Sequence, residues 1–274
     1  GGTMAYLQDT DEDVNVMTLG NVYIDQIEKE RVDDTDNQTK LQDYTHEKPL
    51  FPAVYEGSSI PYAPEDEWVV PGDYAWRVVE DNENVVDKFV TVKNTGNSDA
   101  YVRTIFAFES TKNPAEEGDY VHAVINDNVK FPEEMTAWTW LPDTVLIDGS
   151  YYQIGYVTYL KPLAPKAETI PSLKQVYMDK DATNEYVETF GEEYKILVVS
   201  QAVQTAGFEN AQSALDAAYG VISADNHPWM GEDPWNNAPT EYVEKTEHWD
   251  GTVDTSWYNN TDTEFVLTTA EQLA

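Results

Sequence analysis

Apolar and polar positions alternate most clearly in "VVDKFVTVKNTGNSDAYVRTIFAFE", residues 85–109. Val86, Val90 and Val92 fall on one side of an extended chain. Beyond Asn94-Thr95-Gly96-Asn97-Ser98, the set Ala100, Val102, Thr104, Phe106 and Phe108 alternates with Tyr101, Arg103 and Ile105. A period of two predicts β-strands. Asn and Gly in the connection are expected to supply its unusual backbone angles. Similar runs occur at 152–160 and 194–203. The last holds "YKILVVSQAVQ", apolar on both faces, as expected of a strand buried between layers. One helix stands out. "FENAQSALDAAYG" puts Phe208, Ala211, Leu215 and Ala218 near one face, and Gly220 is a natural stop.

Elsewhere the pattern weakens. Val22, Ile24 and Ile27 suggest a strand. Residues 33–71, with Pro49, Pro52, Pro61, Pro64 and Pro71, read as loop. "DNHPWMGEDPWNNAP" reads as an ordered loop. Helical segments do not alternate with strands, so the expected fold is mainly β. It is an antiparallel, jelly-roll-like sandwich with one or two short helices and long loops.

Charge narrows the function. Fifty-one acidic residues face sixteen basic ones, a formal net charge of −35. Phosphate would be repelled everywhere, so nucleic acid is not an expected partner, nor is an anionic membrane surface. No run of about 18 apolar residues exists to span a bilayer. There is no cysteine, which fits a secreted protein of this size without requiring one.

Catalytic motifs are missing. His46, His122, His227 and His248 are far apart in sequence, so no H-E-x-x-H exists for a zinc peptidase. Neither a G-x-S-x-G elbow nor a Gly-rich phosphate loop is present. No cofactor is expected; calcium is the one candidate, against the plainer reading of both acidic stretches as loops. "DTDED" offers Asp9, Asp11 and Asp13, and "DKDATNE" offers Asp179, Asp181 and Glu185, with alternating oxygen ligands. Neither has the glycine or the twelfth-position glutamate of an EF-hand. Among the aromatics, the pair Trp138 and Trp140 and the cluster Trp229 and Trp235 are candidate sugar platforms. Packing is the commoner use of such residues.

The opening "GGTMAYLQDTDEDVNVMTLGNVYI" resembles the signal-cleavage region of the TasA and camelysin family, the biofilm-fibre proteins of Gram-positive bacteria processed by a SipW-type signal peptidase. Thr3-x-Ala5 is the small-x-small triplet that signal peptidases read. The resemblance implies cleavage between Ala5 and Tyr6, so that residues 1–5 are a signal remnant and the rest of 1–20 a leader. "VPGDYAWRVVEDNENVVDKFVTVKNTGNSDAYVRTIFAFE" looks like the family's Pro-Gly-Asp turn, strand, Asn-Thr-Gly turn and strand. "ILVVSQAVQTAGFENAQSALDAAYG" looks like its later strand and short helix. Together these place a TasA-like sandwich at 21–245. Residues 246–274 resemble a segment leading into a further adhesin-type module, so the natural chain is expected to continue.

The resemblance implies a non-enzymatic, secreted subunit of an extracellular fibre at the surface of a Gram-positive bacterium. Its partners would be its own filament neighbours and other matrix or cell-surface components. The leader of one subunit would add as a strand to the next, head to tail, with Tyr6, Leu7, Val14, Val16, Met17 and Leu19 as apolar anchors. The alternatives are a cell-surface adhesin or carbohydrate-binding domain, with Trp229 and Trp235 as ligand aromatics, and a camelysin-like metallopeptidase.

Overall fold

The computed structural model describes residues 3–9, 15–32, 41–45, 47–55, 84–127, 135–191 and 193–230. In chain order the strands begin with β1 (Ala5–Asp9), β2 (Val16–Leu19), β3 (Ile24–Arg31), β4 (Leu41–Asp43) and β5 (Lys48–Leu50). Then come β6 (Pro52–Ala53), β7 (Val86–Asp87), β8 (Phe89–Asn94), β9 (Ala100–Ser110) and β10 (Val121–Ile125). The last five are β11 (Thr136–Trp140), β12 (Val145–Ile147), β13 (Ser150–Leu163), β14 (Leu173–Asp179) and β15 (Glu193–Gln204). Three short helices are described: α1 (Pro114–Glu117), α2 (Asn184–Thr189) and α3 (Ala211–Tyr219).

The protein is a β sandwich. Its larger sheet runs β11-β13-β9-β15-β1-β5, with β12 on β13 and β2 on β15. The opposing layer is built from two smaller sheets, β4-β3-β8 and β10-β14-β6, with β7 on β14. Backbone bonds stitch these two together: Lys88 N–H donates to Lys174 O (2.8 Å), and Ser172 N–H to Val90 O (2.9 Å). Between the layers, Val102, Phe106, Val157 and Val198 meet Val90, Val92, Leu173, Val176 and Met178 in one apolar core.

β9 is buried along its whole length, and its two alternating sets face different surroundings. Val102, Phe106 and Phe108 look into the sandwich core. Tyr101 turns outward beneath α3, and Ile105 and Ala107 turn outward against Val145, Ile147 and Ile222. The helix forms where the sequence places it. The Asn210 side chain accepts from Ser213 N–H (2.8 Å) at its start, and Gly220 ends it at φ 81°. α3 buries Ala211, Ala214, Leu215 and Ala218 on the outer face of the large sheet.

Two local expectations are corrected. The Asn94–Ser98 connection joins no hairpin: β8 pairs with β3, whereas β9 pairs with β13 and β15. The chain there crosses from one layer to the other. Neither Asn94 nor Gly96 has a positive φ. Instead the Asn94 carboxamide does the work, accepting from Gly96 N–H (2.9 Å) and donating to Ser98 O and Leu163 O (both 2.8 Å). The proline-rich stretch is also not all loop. It holds β4, β5 and β6, which are two or three residues long and too short to show a period. Pro49 sits in β5, at the rim of the large sheet, where a missing N–H is tolerated. Residues 56–83 lie outside the described residues.

Four of the scarce cations, Arg31, Lys88, Arg103 and Lys174, are buried. Arg31 forks onto Asp87, with Nε 2.6 Å from Oδ2 and Nη2 2.9 Å from Oδ1. The Lys88 Nζ sits 2.8 Å from Glu28 and 4.1 Å from the centre of the Tyr44 ring. Arg103, only 1% exposed, rises from β9 to the outer face. Its Nε and Nη2 donate to Gln201 Oε1 (2.9 and 2.7 Å), and its Nη1 to Asp216 of α3 (2.8 Å). Lys174 has no ion-pair partner among the described residues, and burial pulls its ammonium down to about 7.

Candidate functional site: the leader and the β15 edge

The leader anchors converge on one strand. β15 is paired on its first edge by β9. Among the described residues, its second edge is covered only by the leader, in two pieces. β1 lies parallel to its first half, from Tyr6 opposite Glu193 to Asp9 opposite Ile196. β2 lies parallel to its second half, from Val16 opposite Ser200 to Leu19 opposite Val203. These pairs are parallel in a sheet otherwise joined by antiparallel pairs. Between the two pieces the leader advances seven residues (16 − 9) while β15 advances four (200 − 196).

Each piece is held differently. In β1, Ala5 and Leu7 enter the sandwich core while Tyr6 is 41% exposed, as a period of two requires. The outer side of β1 is paired by the short β5. In β2, Met17 and Leu19 point to the opposite face and are buried beneath α3 with Tyr101, Val199 and Leu215. Val16 packs against the main core. The Tyr219 hydroxyl lies 2.6 Å from Ala202 O and 3.0 Å from Met17 O, sharing its one proton between strand and leader. Gly20 follows at φ 89° against the Gln204 side chain. Val14, Asp11 and Asp13 lie outside the described residues.

A buried carboxyl underlies the β1 half. Glu109 of β9 accepts from Lys195 N–H (2.9 Å), and Lys195 is the residue opposite Gln8. Burial pushes the Glu109 carboxyl up to about 7, against the pull of that N–H and of the Lys195 charge. A carboxyl raised in the folded state favours folding only while it is protonated. Its contribution is complete below the unfolded value of about 4.3 and is lost as pH rises through about 7. Glu109→Gln keeps an acceptor for Lys195 and removes the buried charge. Urea unfolding of the two proteins at pH 4 and pH 8 is expected to give nearly equal stabilities at pH 4 and to separate them at pH 8, with the variant more stable by about 3 kcal/mol.

The other predicted site residues are placed as follows. The Ala5–Tyr6 bond lies inside β1, with Ala5 buried. Asp9 ends β1. Asp179, Asp181 and Glu185 do not converge: Asp179 Oδ2 is 2.7 Å from His122 Nε2, and its Oδ1 accepts from Asp181 N–H (2.8 Å). Among the described residues no three His, Cys, Asp or Glu side chains gather as a metal-ligand group. Trp229 is half-buried and packs against the two outer clusters that hold α3 and Ile222. Its N–H donates to His227 Nδ1 (3.1 Å). Trp235 and residues 246–274 lie outside the described residues. No described helix is long and apolar enough to cross a membrane.

No protein-family model, curated protein or solved structure matches the chain.

Proposed function

We propose that the protein is a secreted structural subunit of an extracellular, biofilm-type fibre that polymerises head to tail by exchange of its leader. The resemblance of residues 1–24 and 70–109 to the TasA and camelysin family motivates this reading. The observation that carries it is the second edge of β15, which among the described residues only the leader pairs. A strand that leaves this edge uncovers a row of N–H and C=O groups, which the same segment of another copy can satisfy in the same register. Donor and acceptor are different surfaces, so the contact need not close on itself and can extend as a filament. In the single chain the leader is docked on its own domain, so this monomer is the closed form and exchange begins with its release. Signal cleavage between Ala5 and Tyr6 would act before docking, since that bond ends up inside β1.

Electron microscopy of negatively stained protein tests this. Chains starting at Tyr6 and at Gly20 are compared at low and moderate salt, with and without calcium. Only the longer chain is expected to form filaments, and more of them as salt or calcium screens a net charge of −35 per copy. Monomers under every condition would remove the fibre reading.

A further inference from the structure

A second feature lies at the far end of the molecule from the β15 edge in sheet order, on β11 and β13. An aromatic ladder runs along the inner face of the large sheet. Phe106 stacks on Trp138 at 5.5 Å between centroids, and Trp138 on Trp140 at 5.6 Å and 13°. Phe106 and Trp138 belong to the core. Trp140 has left it and is 44% exposed. The ring is nonetheless fixed. It lies over Gly155, where an added Cβ would come within 2.6 Å of Trp140 ring carbons. Only glycine allows so close a seat.

The exposed ring borders a cleft of about 900 Å³, within the size range of small-molecule sites. Tyr151 and Gln153 line it too, on the same side of β13 as the core residues Val157 and Tyr159. Opposite stands the α1 turn with Lys112 and Glu116, and the loop carrying Asp143. Thr144 Oγ1 donates to Lys112 O (2.8 Å), which ties this loop to the α1 turn. Tyr151, Gln153, Lys112, Glu116 and Asp143 have no side-chain partner among the described residues. An anchored indole face is therefore surrounded by unused amide, hydroxyl and carboxylate groups.

We infer that this cleft binds a neutral oligosaccharide, with a pyranose ring stacked on Trp140 and its hydroxyls held by Gln153 and Asp143. A sugar has one apolar C–H face and a polar rim, which is the pairing of surfaces the cleft offers. Anionic glycans are disfavoured, because the lining carboxylates of Glu116, Glu117 and Asp143 outnumber Lys112 and the chain as a whole carries −35. A single flat platform favours a glycan whose units share a flat ribbon, as equatorially β-1,4-linked chains do. The site uses no leader residue, so it is independent of the fibre reading.

Isothermal titration of the full chain with cellotetraose, chitotetraose and maltotetraose is the test. One of the first two is expected to bind with a Kd of about 1 mM or tighter, and maltotetraose more weakly. Trp140→Ala and Gln153→Leu should each weaken binding at least about tenfold, while Trp229→Phe leaves it unchanged. Urea midpoints check that each variant is folded. If Trp140→Ala does not fold, Gln153→Leu and saturation-transfer NMR from the Trp140 indole decide instead. No binding by any probe up to about 10 mM, or binding that survives both cleft variants, would overturn the assignment.

Discussion

A chain that begins at Gly20 is expected to lose a large part of its stability, and to regain it when residues 1–19 are added as a separate peptide. The leader supplies Leu7, Met17 and Leu19, each at most 2% exposed. Truncating one such side chain to alanine typically costs about 2–5 kcal/mol, so Leu7→Ala and Leu19→Ala should each fall in that range. Removing all three, together with the backbone pairing of β15, leaves a gap in the sandwich core, an open slot beneath α3 and an unpaired edge. The total should be on the order of 5 kcal/mol or more, against a whole-protein stability of about 5–15 kcal/mol. Urea unfolding with and without the peptide measures both halves of the expectation. Recovery that saturates with peptide concentration would show that the slot accepts this segment in trans. An unchanged midpoint in the shortened chain would mean that the leader is an ornament on a domain complete without it.

Arg103→Met is expected to cost about 3–5 kcal/mol. The guanidinium holds Gln201 Oε1 by two donors, Asp216 by a third, and Gly220 O at 3.2 Å. Its removal strands a buried amide oxygen and a carboxylate whose side chain is only 27% exposed. Burial alone would lower the pKa of this guanidinium, and Asp216 and the rings of Tyr156 and Tyr219 act to hold its charge. Arg103→Lys should rescue little, because an ammonium cannot span the fork from β15 to α3. The triple change Arg103→Met, Gln201→Leu, Asp216→Leu should recover most of the loss, since the cost comes from orphaned partners. Differential scanning calorimetry reads this directly. At this size each kcal/mol moves Tm by about 2–4 °C. A single variant as stable as the parent would show that water replaces the guanidinium without cost.

The parts of the fold visible in the sequence are those whose reason is local. β9 shows as a strand because β-branched and aromatic residues run along both of its faces, with Arg103 and Glu109 its only charges. α3 shows because its stripe is followed by Gly220. What was hidden depends on partners. A period of two says which face a residue takes, not which strand lies beside it. Nothing in Tyr6–Leu19 therefore announces that both leader pieces run parallel to β15. Arg103 reads as one outward residue in an alternating set, yet its partners are 98 and 113 residues away. The Trp140 cleft drew on three separated segments, and its one local trace was a tryptophan two positions beyond another. Gly155 could have sharpened that trace, being a glycine inside a long β run.

The direction of the leader has a mechanical consequence. Because β1 and β2 run parallel to β15, the leader's C-terminal end, where its own domain is attached, and the N-terminal end of β15 lie at opposite ends of their shared ladder. Tension between those two points slides the strands lengthwise and loads all their hydrogen bonds together. An antiparallel partner pulled from the same two ends would instead peel, one bond at a time. If one copy's leader occupies this slot in the next, each junction resists stretching in shear, the stronger of the two geometries.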